Sequence, residues 1–225
     1  HTRYISVTGV QTCALPISSI DEIGVASNPE FLREGTSVRD FLNASRVVVG
    51  CDNPAIAVRV SELYAGVAAP IVVTDPASSE MIKYASNAFL ATKISFMNAI
   101  ANLCEAVDAD VSQVALGMGY DPRIGFEFLQ PGPGYGGSCF PKDTAALMHT
   151  ARSADAEFPL LQGVIDGNLE QHERMVAKAR RLAGGSLDGV VIAAWGLTFK
   201  ANTDDVRDSP AVHIVRRLLE EDRKS

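Results

Sequence analysis

The chain has 225 residues, 47% hydrophobic and 21% charged, with a formal net charge of -7. That is enough apolar material for one large domain or two small ones, and the acidic balance, with Arg and Lys dispersed, excludes nucleic acid or an anionic membrane as the main partner. Cys13, Cys51, Cys104 and Cys139 form no Cys-x-x-Cys pair, His1, His149, His172 and His213 lack zinc-ligand spacing, and no apolar run reaches bilayer length, so a cytoplasmic protein with no metal and no membrane segment is expected.

Residues 1–17, HTRYISVTGVQTCALPI, show no clear period and back-translate closely onto a sequencing-library adapter, as does the terminal DRKS. Residues 1–18 and 222–225 are therefore expected to be non-native. After NPEFLREGTSVRDFLNAS, the β-branched run from Arg46 to Gly50 reads as a buried strand, and NPAIAVRVSELYAGV as a helix with Asn53 as cap and Pro54 in its first turn. PIVVTD reads as a second strand. Pro76 to Val107 keeps Met81, Tyr84, Ala88, Ala91, Ile94, Phe96 and Ile100 at helical spacing, a helix long and apolar enough to be buried or paired with a second subunit.

A helix over Val111–Leu116 precedes the turn-rich stretch Gly117–Gly137, and helices over Thr144–Arg152 and Pro159–Leu182 follow. Beyond the turn cluster GGSLDG, the apolar run VVIAAWG reads as a strand opening an α/β unit, and its helix takes Ser209 as cap and Pro210 in its first turn. The domains expected are 19–75, 76–184 and 185–221, the last cut short after one βα unit.

The stretch from Gly132 to Gly137 satisfies Gly-x-Gly-x-x-Gly, but Pro131, Pro133 and Pro141 crowd it and no strand leads in, so it is not a dinucleotide fingerprint. Its glycines suit a backbone passing close to a ligand and offering amides to phosphate or sugar oxygens. Cys139 at the end of that loop, with Lys142 near in sequence to favour a thiolate, has the setting of a nucleophile, although an isolated cysteine is more often a small buried hydrophobe. Asp143 could simply cap the helix beginning at Thr144. Lys83 and Asn87, at i and i+4, suit stabilisation of an oxyanion or a proton relay, or form a polar stripe at the edge of the buried face; Glu30 and Glu34 repeat that spacing and could be a solvated pair.

SNPEFLREGT, KYASNAFLATKISFMNAI, DPRIG, PGPGYGGSCFPKD and GLTFKANTDDVRDSP, in this order, are similar to motifs of the UDP-glucose/GDP-mannose dehydrogenase family. The resemblance covers about Val25 to Glu220. It implies an α/β fragment: the remnant of a Rossmann-type NAD-binding domain, a central, mostly helical dimerisation and catalytic domain with one long helix, and the first βα unit of a second Rossmann-like, UDP-binding domain. It implies NAD-dependent oxidation of the C6 alcohol of a nucleotide sugar, with the loop leaning towards UDP-glucose and the product UDP-glucuronate.

Carried over by motif, Cys139 would form a thiohemiacetal and then a thioester, Lys83 and Asn87 would stabilise oxyanions, and Asp143 would help move water and protons. Glu34 would assist thioester hydrolysis, and Glu30 would organise water and Lys83. Phe128, Gln130, Gly134, Tyr135 and Gly136 would face sugar and pyrophosphate, Phe199 and Lys200 the uridine side, and Arg123 the substrate across a homodimer built by the long helix. Glu34, Lys142 and Arg207 would meet the cofactor. The family's glycine fingerprint is missing before NPEFLREG, so the 225-residue chain is expected not to turn over. A dehydrogenase for GDP-mannose or UDP-N-acetylmannosamine, or a non-catalytic, shortened nucleotide-sugar-binding and dimerisation module, are the alternatives.

Overall fold

The computed structural model describes residues 24–222, so the expectation for residues 1–18, and that for 222–225 apart from Asp222, lie outside the described residues. Two compact units divide between Ser86 and Asn87.

In the first unit, Val47–Gly50 forms β1 and Ile71–Thr74 forms β2, joined by helix α2, Pro54–Glu62; a short helix α1, Ser37–Leu42, precedes them. The strands are parallel, with Val47 opposite Ile71 and Gly50 opposite Thr74, the pairing that a crossover helix permits. β1 is buried throughout because Val47 and Val49 pack with Ala57 of α2, while Ser27 bridges to Gly50 on the strand's other edge. Asn53 caps α2 as expected, its side-chain oxygen accepting the Ala55 N–H at 2.9 Å.

Helix α3, Pro76–Val107, begins in the first unit and runs into the second. There it is joined by α4, Val111–Gly119, α5, Phe140–Ser153, α6, Pro159–Leu182, and α7, Pro210–Asp222. Met97 and Ala91 of α3, Leu147 of α5, and Leu161, Val164 and Val176 of α6 are buried. α6 packs on α5 and α7, and Arg217 of α7 pairs with Glu173 of α6 at 2.6 Å. The bounds of α3 and α6 are those expected from period and proline placement.

Four expectations fail locally. α4 runs to Gly119 rather than Leu116, so the turn-rich stretch opens three residues later. α5 starts at Phe140, not Thr144, with Cys139 at the N-cap position and Pro141 in the first turn, where a proline costs no hydrogen bond. The run VVIAAWG forms no strand, and Val191 and Trp195 lie fully exposed; a strand needs a neighbour for its peptide groups, and no described strand pairs with this run. Ser209 does not cap α7 with its side chain: the hydroxyl is buried without a partner among the described residues, and only its carbonyl accepts, from the His213 N–H at 3.1 Å.

Candidate active site

The first unit holds one group of the expected residues. After the Ser27 bridge the chain leaves the sheet through Asn28-Pro29-Glu30, with the Asn28 amide donating to the Val48 carbonyl at 2.7 Å. Lys83, its side chain only 14% exposed, donates to the Glu30 carbonyl at 2.6 Å and to its Oε1 at 2.9 Å, while Glu30 Oε2 accepts the Leu32 N–H at 2.6 Å. The Phe31 ring lies beside them, with the Arg46 guanidinium 3.8 Å from its centroid. Glu34 is half-buried in the turn before α1.

The second unit holds the other. Cys139 is half-buried at the start of α5, its Sγ 3.7 Å from the Ser138 hydroxyl. The Asp143 N–H donates to the Cys139 carbonyl at 2.8 Å, which sets the aspartate one turn after the thiol. Asp143 is 1% exposed, and its carboxylate is satisfied on both oxygens: Asn87 Nδ2 donates to Oδ2 at 2.5 Å and Lys142 Nζ to Oδ1 at 2.8 Å. A buried carboxylate survives only with such partners. The thiol thus stands at the N-cap position of α5, one turn before the carboxylate–amide pair of Asp143 and Asn87.

The glycine loop leads into Cys139. Gly134 and Gly137 take positive φ of 129° and 80°, and a Cβ on Gly137 would lie 2.7 Å from the Phe199 ring. The Gly137 N–H donates to the Arg207 carbonyl at 2.9 Å, and Arg207 itself forks onto Asp205. The structure thus brings Phe199 and Arg207 against this loop. Tyr135 is buried, which raises its phenol pKa against the lowering effect of a Thr144 hydrogen bond, and it meets the Phe140 ring edge-on at 6.1 Å. Phe128, at a positive φ of 64°, packs on the same ring at 6.3 Å. Gln130 and Lys200 are exposed. Arg123 is turned to its own loop, its guanidinium on the Asp121 carboxylate at 2.6 Å, which lowers the pKa of Asp121 and raises that of Arg123.

A further set of residues was missed from the sequence. Both backbone groups of Tyr135 are met by Asn168: its N–H donates to Oδ1 at 2.7 Å and its carbonyl accepts from Nδ2 at 3.1 Å. Gly132 is bracketed in the same way, its N–H donating to Asn98 Oδ1 at 2.7 Å and its carbonyl accepting from Gln171 Nε2 at 3.0 Å. Asn102 completes the set by donating to Gln171 Oε1 at 3.0 Å. The available signal was polar residues recurring at helical spacing, Asn98 with Asn102 and Asn168 with Gln171 and His172, on helices that otherwise bury apolar faces.

Residues 7–68 match the NAD binding domain of the UDP-glucose/GDP-mannose dehydrogenase family, 77–170 its central domain and 193–224 its UDP binding domain. The chain belongs to the UDP-glucose/GDP-mannose dehydrogenase family. It is 53% identical over 196 residues to UDP-glucose 6-dehydrogenase YwqF of Bacillus subtilis, covering 87% of this chain and 44% of that protein. It is 49% identical over 201 residues to UDP-glucose 6-dehydrogenase of Rickettsia felis, covering 88% and 45%. The structure of a UDP-glucose dehydrogenase from the archaeon Pyrobaculum islandicum superposes with a TM-score of 0.85 at 41% identity, covering 88% of this chain and 46% of that one. A UDP-D-ManNAc dehydrogenase from Pyrococcus horikoshii superposes at 0.78 with 27% identity, covering 88% and 47%. The chain thus spans less than half the length of the curated relatives it matches.

Within the UDP-glucose/GDP-mannose dehydrogenase family framework, Glu30 and Glu34 fall in the NAD-binding match, Lys83, Asn87, Cys139 and Asp143 in the central domain, and Phe199, Lys200 and Arg207 in the UDP-binding match. The parallel β1–α2–β2 unit fits NAD as scaffold, since such sheets bind dinucleotides beyond the carboxyl ends of their strands. The nearest polar groups there serve the fold instead: Asn53 caps α2, and Asp75 accepts the Ser78 N–H at 2.8 Å. Among the described residues no cluster of His, Cys, Asp and Glu could hold a metal ion, and no helix is long and apolar enough to cross a membrane.

Proposed function

We propose that the whole protein is a UDP-glucose 6-dehydrogenase that oxidises the C6 alcohol of UDP-glucose to the carboxylate of UDP-glucuronate. The observation that carries this reading is Cys139 at the head of α5, with Asp143 held on Asn87 at 2.5 Å behind it and the glycine loop leading in. A cysteine suits the second oxidation, because the aldehyde's C–H leaves as hydride from a tetrahedral adduct, and a thiol is a strong nucleophile for forming one.

The C6 alcohol first loses a proton and a hydride to give the aldehyde. The Cys139 sulfur then bonds to C6, and its proton passes to the carbonyl oxygen, giving a thiohemiacetal. Loss of the hydroxyl proton and of the second hydride leaves a thioester. Water adds to it, the C–S bond breaks, the thiol regains a proton, and the carboxylate leaves. NAD, when bound, takes up the hydride released in each oxidation.

Lys83 and Asn87 stabilise the oxyanions of these steps, and Lys83 also moves protons. Glu34 assists thioester hydrolysis, Glu30 orders water and Lys83, a role supported by the 2.9 Å Lys83–Glu30 pair, and Asp143 moves water and protons. Phe128, Gln130, Gly134, Tyr135 and Gly136 face the sugar and pyrophosphate, Phe199 and Lys200 the uridine side, and Arg123 the substrate of a partner subunit. Glu34, Lys142 and Arg207 hold NAD. Phe89, Phe96 and Leu103, exposed at seven-residue spacing on α3, support a homodimer through that helix.

Because the chain spans less than half of its relatives, turnover is assigned to the whole protein and the 225-residue chain alone is expected to yield no NADH. The test is NADH formation by the whole protein with UDP-glucose. Stoichiometric formation of two NADH per UDP-glucuronate supports the reading. NADH formed only with GDP-mannose or UDP-N-acetylmannosamine would move the substrate, and none with any of the three would leave a binding and dimerisation module.

A further inference from the structure

We infer that Asn168 and Gln171 of α6, with Asn98 of α3, are positioning residues that hold the glycine loop in its ligand-ready shape and so set the affinity for the nucleotide sugar. The inference rests on the functional reading above, which makes this loop the sugar-facing one.

The loop from Gly132 to Gly137 contains Gly132, Gly134, Gly136 and Gly137, so at those four positions its unrestrained backbone has much freedom to lose on binding. Pro131 and Pro133 remove donors, and the stretch joins neither sheet nor helix. Its buried peptide groups must therefore find partners elsewhere. They find side-chain amides. Gly132 and Tyr135 each have N–H and carbonyl both taken, at 2.7 and 3.0 Å for Gly132 and at 2.7 and 3.1 Å for Tyr135. An amide offers the donor and acceptor of a peptide and carries no net charge, so it fixes the loop without placing an ion beside an anionic ligand.

Asn98, Asn168 and Gln171 are 3%, 7% and 4% exposed, which places them behind the loop rather than on the ligand side. Gly134 fits the same wall, since a Cβ there would lie 2.8 Å from both Asn168 Oδ1 and His172 Nε2. The wall holds more polarity than the loop uses: Asn98 Nδ2 and His172 Nε2 are buried without partners among the described residues, a cost that natural folds accept mainly where function requires it. Ordering the loop in advance removes an entropic loss from binding and leaves the chemistry at Cys139 alone.

The test uses the whole protein with the nucleotide sugar that the wild type oxidises, comparing Asn168→Ala with Gln171→Met, the latter keeping side-chain volume so that the fold survives. The expected result is a KM for the nucleotide sugar raised roughly tenfold or more, with kcat and the KM for NAD within about twofold. Amide exchange at Tyr135, whose N–H donates to Asn168 Oδ1, should quicken in Asn168→Ala. An unchanged KM, or a fall in kcat at constant KM, overturns the inference while the functional reading stands. A wild type that oxidises none of the three nucleotide sugars sinks the functional reading, and the inference with it.

Discussion

Asn87 donates its side-chain amide to the buried carboxylate of Asp143 at 2.5 Å, tying α3 to the first turn of α5 immediately behind Cys139. The bond does two things at once: it satisfies a carboxylate that is 1% exposed, and it aims that carboxylate along the helix that presents the thiol.

Replacing Asn87 by Leu keeps the volume and removes the donor, leaving Asp143 buried with Lys142 as its remaining charge partner described here. The expected cost to the 225-residue chain is about 1.5–3 kcal/mol, read from the urea unfolding midpoint. A loss under about 0.5 kcal/mol would mean that water replaces the amide without penalty.

A methyl group on Gly137 would meet the Phe199 ring at 2.7 Å, and the residue holds a φ of +80°. Gly137→Ala is therefore expected to cost about 1–3 kcal/mol and to weaken nucleotide-sugar binding by the whole protein, because the ring and the Arg207 carbonyl both rest on this residue. Calorimetric titration with UDP-glucose measures the second effect, and unchanged affinity would detach Phe199 from the substrate.

The long helices were legible because proline openings and apolar period agree over many turns: α3 and α6 begin and end where the sequence places them. α5 was read as starting four residues late, at Thr144 with Asp143 as a possible cap, whereas Pro141, whose missing N–H suits a helix's first turn, lies inside it. The run from Val190 to Gly196 has strand composition, but composition cannot supply the neighbour a strand needs. The i, i+4 spacing singled out Lys83 and Asn87 but could not show their partners, Glu30 and Asp143, which lie 53 and 56 residues away. The amide clamp was not singled out, because Asn98, Asn168 and Gln171 meet partners 33 to 39 residues away, and helical asparagines read as solvated polar positions until the fold buries them.

Phe89, Phe96 and Leu103 expose an apolar seam along α3, 64%, 50% and 58% accessible. If the seam pairs two copies, Phe96→Glu places a charge at its centre and should turn a dimer into a monomer by analytical ultracentrifugation, since a desolvated, unpaired charge costs several kcal/mol. A wild-type chain that is monomeric at high micromolar concentration would remove the proposal.

His172 stacks on His213 with ring centroids 5.3 Å apart. Burial, reinforced by His213 and opposed by Glu173, holds its pKa below the ordinary histidine value. Unfolding exposes an imidazole that binds its proton near pH 6.5, so below that pH the unfolded chain holds more protons and the fold loses stability as pH falls towards the folded pKa. Above it both states are neutral there and the contribution is flat. His172→Gln should flatten the acid-side slope of stability as pH falls below about 6.5, read by urea titration at each pH. An unaltered slope would mean that other groups carry the acid response.

The proposed covalent path of the second oxidation is tested at Cys139. In the whole protein, Cys139→Ala leaves the loop and the Asn87–Asp143 pair in place, so UDP-glucose should bind within about threefold of the wild type while formation of UDP-glucuronate falls by roughly a thousandfold or more. Acid-quenched wild-type protein, caught during turnover, should carry the sugar nucleotide as a thioester on the peptide containing Cys139, and the variant should carry none. A variant that still makes UDP-glucuronate at a wild-type rate would mean that the aldehyde is oxidised as its hydrate. Activating that water would then fall to the carboxylates that the proposal assigns to hydrolysis and proton movement, Glu34, Glu30 and Asp143.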